Sequence, residues 1–139
     1  MNTNLNLQLE GHVKAYFNNN LILDNSNHVQ SSAKDIIKRA LGSSSQRLNK
    51  IIVFNNSTGL ASTQIPLSSV VYPLGQNTVT LIGVFSKESF DGEFNKFQLV
   101  STNHLNEDII FSEITFDPLN KTSDNSLVVD WVLSINLTN

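Results

Sequence analysis

The clearest pattern in the chain lies near its C-terminal end, where Leu127, Val129, Trp131, Leu133, Ile135 and Leu137 take every second position. Ser126, Asp130, Ser134 and Asn136 fall between them. A period of two places one row on each face of a strand. The stretch therefore predicts a half-buried strand, with Leu127, Val129, Trp131, Leu133 and Ile135 as the fold-defining core row. A slip of one residue would turn that row to solvent, which fixes the pairing register. Trp131 is the only Trp in the chain and is the expected core anchor.

The same reading carries back along the chain. Leu5, Leu7 and Leu9 alternate with polar residues, and after Gly11 the alternation resumes at Val13, Ala15 and Phe17. These positions predict one strand with a glycine bulge, or two short strands. Asn18, Asn19 and Asn20 form a turn, because Asn tolerates the left-handed region, and residues 21–23 complete a hairpin that the polar residues 24–27 close. Ala33, Ile36, Ile37, Ala40 and Leu41 instead recur at helical spacing. An amphipathic helix is expected over residues 32–41, capped by Ser31 or Ser32 and stopped at Gly42.

Residues 51–54 read as a fully buried strand that ends in the turn residues 55–59. Residues 60–73 read as loop with a short edge strand at 68–71, bracketed by Pro66 and Pro73. In residues 78–86, Val79, Leu81 and Phe85 share one face, and Gly83 marks a bulge or a close backbone approach. A tight turn at residues 90–93 then predicts a second hairpin with the strand bearing Phe97 and Leu99. A further strand carries Ile110, Ile114 and Phe116 and stops at Asp117-Pro118. About eight short strands and one helix predict a mainly β fold, an antiparallel β-sandwich. The helix is expected to cover one open edge or end, and residues 1–139 read as one domain without repeat or linker.

Composition narrows the picture. At 139 residues with 40% hydrophobic content the chain can fill one core. Its formal net charge is −3, and its basic residues form no run or stripe, so neither nucleic acid nor a membrane surface is an expected partner. With no Cys, disulfides and thiolate metal sites are excluded. Met1-Asn2-Thr3-Asn4 lacks a basic region followed by an apolar run, so no secretory signal is expected.

Candidate chemistry is sparse. His12, His28 and His104 do not stand at metal-ligand spacing from one another, and the ordinary reading is surface or hydrogen-bonded His. Gly42-Ser43-Ser44-Ser45 lacks the frame of a nucleophile elbow. Asp24, Ser26 and His28 lack the spaced acids and central Gly of a calcium loop. Asp91 and Glu93 serve a turn as well as they would serve catalysis. No catalytic, cofactor or metal site is therefore assigned. Most aromatic residues lie in the alternating rows. Tyr16, Tyr72 and Phe90 are the exceptions, and as exposed aromatic contacts they support an alternative reading as a glycan- or receptor-binding module.

One stretch points to a family. The segment FSEITFDPLNKTSD at residues 111–124, followed by LVVDW at 127–131, resembles a C-terminal signature of small structural proteins of tailed bacteriophages. In that signature a strand leads to a turn of the form proline, apolar, asparagine, lysine, threonine, small, acid, and a last strand carries Trp. Glu93-Phe94-Asn95-Lys96-Phe97-Gln98-Leu99-Val100 is similar to that family's hairpin arm. The resemblance implies a non-enzymatic virion component, tail-associated or fibre-attaching. Such a protein is expected to form a homo-oligomer, to contact other virion proteins and to reside in the virion, with capsid decoration as the alternative place.

Overall fold

The computed structural model describes residues 6–29, 33, 36–37 and 47–138. Nine strands follow along them: β1 (Asn6–Phe17), β2 (Asn20–Val29), β3 (Lys50–Asn55), β4 (Ala61–Pro66), β5 (Ser69–Val71), β6 (Thr78–Phe85), β7 (Gly92–Thr102), β8 (Asp108–Lys121) and β9 (Leu127–Thr138). They are hydrogen-bonded in the order β4-β3-β7-β8-β2-β1-β9-β6-β5.

The strand β2 divides this ladder in two. Asn20 to Asn27 pair with β1, whereas only His28 and Val29 pair with β8. The result is two antiparallel sheets, β2-β1-β9-β6-β5 and β4-β3-β7-β8, joined on one side by a strand that passes from one to the other. On the opposite side the two sheets end in β5 and β4.

One apolar core lies between the sheets. Val13 and Ala15 of β1, Leu81 and Phe85 of β6, and Leu127, Val129, Trp131 and Leu133 of β9 meet Ile51, Val53, Phe94, Phe97, Leu99, Phe111 and Ile114 of the other sheet. Phe17 and Phe94 pack edge to face across the interior at 6.1 Å. Near the open side a Cβ on Gly83 would stand 3.0 Å from Ile51 Cδ1 and 3.6 Å from Ile65 Cγ2. Gly83 therefore marks a close approach of β6 to the opposite sheet, and β6 pairs with β9 through it without a shift.

The period-two row of β9 occupies the core at Leu127, Val129, Trp131 and Leu133. Ile135, expected with them, is 43% exposed, because the row runs past the rim of the facing sheet. There Ile135 N–H donates to Asn77 O at 2.9 Å.

Several boundaries differ from the expected ones. The strand β1 is continuous through Gly11, and the irregularity in its pairing with β2 falls between Ala15 and Tyr16. Its hairpin turn is the pair Asn18 and Asn19, with φ of 47° and 71°, as a two-residue loop of primed type requires. The polar residues 24–27 do not end β2; ladder bonds to β1 carry the strand through them. Residues 60–73 hold the two strands β4 and β5 rather than one. The expected hairpin of residues 78–99 is absent: β6 pairs with β9 and β5, while β7 pairs with β3 and β8. The turn at residues 86–91 is thus a crossover between sheets.

Nor does β8 stop at Pro118; it continues to Lys121. The β7–β8 register shifts between Phe94 and Lys96, and such an irregularity accommodates a residue without an N–H. Among the described residues no helix forms an element. The helix expected over 32–41 lies outside them except at Ala33, Ile36 and Ile37, of which Ala33 and Ile36 join the core.

Candidate functional site

On the outer face of the β2-β1-β9-β6-β5 sheet, alternation aligns polar and apolar side chains in rows across the strands. Lys14 of β1 stands opposite Asp24 of β2 and Asp130 of β9, and Asp130 stands opposite Ile82 of β6. In the next row His12 lies between Ser26 and Val132. His12 Nε2 contacts Asp24 Oδ1, and Ser26 Oγ lies 3.4 Å from His12 Nδ1. Beside them Glu10, His12, Ser26 and Ser134 contribute to an open cleft of about 480 Å³.

The hydrogen bond with His12 holds the Asp24 carboxyl below its ordinary range. Slight burial opposes that, and the charges of His12 and Lys14 add to the lowering. Burial pushes Asp130 the other way, upward, against the attraction of Lys14.

Serine, histidine and aspartate thus meet on one hairpin, as in nucleophilic catalysis. The distances and exposure differ from that arrangement. The His12 side chain is 40% exposed and remains hydrated, and a hydroxyl at 3.4 Å is poorly placed to surrender its proton. Moreover β1 is paired on both edges over this stretch, to β2 and to β9. Its amides are therefore spent in ladders and are not available to an oxyanion. The cluster acts as a cross-strand polar row that holds the hairpin register.

The aromatic residues expected to be exposed are not brought together. Tyr72, just beyond β5, is 74% exposed. Tyr16 is half-buried on β1, three strand spacings from β5 in the sheet order, or roughly 14 Å. Phe90 is buried, contrary to expectation, because the crossover folds over the end of the core. Its ring packs edge to face against Phe85 at 6.2 Å and Phe94 at 5.5 Å.

One tightly held polar group is not marked by the sequence pattern. Lys121 is 1% exposed. Its ammonium donates to the carbonyl oxygens of Lys87 at 2.7 Å, Phe90 at 2.9 Å and Thr122 at 3.3 Å, and lies 5.1 Å from the centre of the Phe90 ring. Burial pulls its pKa below the ordinary lysine value, with Asp91 and Glu88 opposing.

The turn that follows is tied down as well. Asn18 N–H donates to Ser126 O at 3.3 Å. The Asn18 side chain donates to Asp124 O at 3.2 Å and accepts from Ser126 N at 3.0 Å. Residues 121–126 thus join the β6–β7 crossover to the β1–β2 hairpin. Nothing in local periodicity marks Lys121 for burial; its role appears only once the crossover is placed.

Among the described residues no group of three or more His, Asp or Glu is arranged to hold a metal ion, and no helix is long and apolar enough to cross a membrane. Comparison with known protein families, with curated proteins and with solved structures finds no match.

Proposed function

We propose that this chain is a non-enzymatic structural protein of a tailed-bacteriophage virion. In this reading it is a tail-associated assembly or fibre-attachment component, built as a β-sandwich that packs against copies of itself and other virion proteins. Capsid decoration is the alternative place in the particle. The observation that carries the reading is the position of the segment that resembles the phage signature. Residues 118–124 supply Lys121, whose ammonium ties the crossover to β8, and Asp124, whose carbonyl oxygen accepts from the Asn18 side chain. The motif is thus a structural clamp with a defined job, as a scaffold protein requires.

The outer surface fits assembly too. Val84, Val71 and Leu21 are exposed on the five-stranded sheet, beside the half-buried Tyr16, Ile82, Val128 and Val132. Leu21, Tyr16, Val128 and Val84 form one apolar row across four strands beside the charged Asp24, Lys14 and Asp130 row, a mixture of apolar and polar groups that suits a subunit contact. Purified particles that contain the chain as a stoichiometric component support the reading; particles that lack it refute it.

The exposure of Tyr72 favours one second reading, a receptor- or glycan-binding module. Glycan-array binding abolished by Tyr72→Ala would establish that reading, and an empty array would remove it.

A further inference from the structure

From Ile51 to Ser86 the chain contains no Asp, Glu, Lys, Arg or His. That span holds β4, β5, β6 and all of β3 except Lys50, and therefore both outermost strands of the sheet order, β4 and β5. Outermost strands carry unpaired backbone groups, and soluble proteins ordinarily guard them with charges, inward-pointing lysines or a covering loop. Here neither edge strand carries a charge.

The two edges are not equivalent. On β4 no large apolar side chain is prominently exposed among the described residues, and Pro66 ends the strand. On β5 all three residues are exposed. Val70 is 39% and Val71 45% exposed, and Tyr72 at 74% and Leu74 at 99% follow directly. Among the described residues β5 pairs only with β6, and no described strand lies on its other edge. These four side chains offer on the order of 500 Å² of apolar surface. That is more than half of the roughly 800 Å² that each partner buries in a typical specific interface.

We infer that β5 is a homotypic edge, along which two copies of this chain pair Ser69–Val71 antiparallel about a two-fold axis and join their β2-β1-β9-β6-β5 sheets into one. A second copy is the partner that the chemistry selects. An antiparallel strand pair is self-complementary under two-fold symmetry. An uncharged edge meets its own copy without like charges placed opposite each other, whereas a charged partner edge would lose hydration to a surface that returns no counter-charge. The two prolines at positions 66 and 73 bracket the strand and confine the pairing to it. This inference deepens the assembly reading by naming the contact, and it rests only on the self-packing half of that reading.

The test is light scattering coupled to size exclusion, on the full chain, on Val70→Lys, which the pairing sets opposite its own copy, and on the double variant Ser69→Lys with Val71→Lys, which sets Lys opposite Lys at both flanking positions. Far-UV circular dichroism checks the fold. The wild type is expected to elute as a dimer at about 50 µM, and each Lys variant is expected to shift to monomer with at least tenfold weaker association and an unchanged spectrum.

Because the chain has no Cys, Val70→Cys adds an independent readout. Two-fold pairing centred on Val70 places the two Cα atoms within the range a disulfide spans, about 4.4–6.8 Å. Oxidation is therefore expected to give a covalent dimer, and Thr63→Cys on β4 is expected to give none. A dimer indifferent to both Lys variants, or one that Thr63→Cys cross-links instead, overturns the β5 contact while self-packing stands. A wild type that stays monomeric overturns both, and the presence of the chain in particles is read separately.

Discussion

Replacing Lys121 by Met removes one ammonium and leaves an unbranched side chain that still fills most of the space of the lysine stem. Three carbonyl oxygens, the buried one of Phe90 and the part-buried ones of Lys87 and Thr122, then lose their donor. A hydrogen bond to a charged group contributes about 1.5–3 kcal/mol, and an orphaned buried acceptor costs about 1–3 kcal/mol. Against this, the variant no longer buries a charge, which relieves several kcal/mol of desolvation. Two of the three bonds are short and the cation also faces the Phe90 ring, so the losses win: Lys121→Met is expected to destabilise the fold by about 2–3 kcal/mol. Lys121→Ala adds lost packing at a position that is 1% exposed, and is expected to cost about 3–5 kcal/mol.

Urea titration followed by fluorescence of Trp131, the single Trp, measures both. A pH arm checks the sign. Because the folded pKa lies below the ordinary value, the unfolded chain holds the proton more tightly in the alkaline window under about pH 10.4. Stability from this group therefore rises with pH across that window. The Met variant should lose that slope. A Met variant as stable as the wild type would refute the reasoning, since desolvation of the cation would then match everything that its three carbonyls return.

Trp131 is fully buried, and Trp131→Ala is expected to cost about 3–5 kcal/mol in the same titration, followed by circular dichroism; a change below about 1 kcal/mol would contradict its place in the core. Asn18→Ala should cost about 1–3 kcal/mol, because it loses both the left-handed tolerance and the bonds to residues 124–126, while Asn18→Gly should recover part of that by keeping the turn. Asp130 has its pKa raised by burial, so its ionisation opposes folding at neutral pH, and the penalty lifts as pH falls through the raised folded value towards the ordinary one near 3.9. Asp130→Asn should remove that slope from a stability-against-pH curve, and an unaltered curve would count against it.

The β9 row and the β3 run were legible because one face or both faces of each strand are buried, so the apolar pattern is a direct image of the core. Polar edges leave no such image. Residues 24–27 of β2 and the ASTQIP of β4 are strands through their ladder bonds, which side-chain alternation does not record. Pro118 looked like a terminator because the usual rule applies to regular ladders, and the register shift opposite Phe94 supplies the exception.

Phe90 reads as exposed from the sequence, and nothing there assigns a place to Lys121. Both sit where the chain passes between sheets, and the burial of each depends on the other. The pairing of His12 with Ser26 and of Lys14 with Asp24 was hidden for a related reason. The irregularity between Ala15 and Tyr16 moves every later partner on β2 by one position, so counting from the Asn18-Asn19 turn places Leu23, not Asp24, opposite Lys14.

The proposed virion role is tested most directly by quantitative mass spectrometry of particles purified from cultures that produce the chain. A fixed, integral number of copies per particle, retained through density-gradient purification and high salt, is the expected result. Particles without the chain, or with traces that wash away, would contradict the assignment, whatever the stability measurements show about the fold.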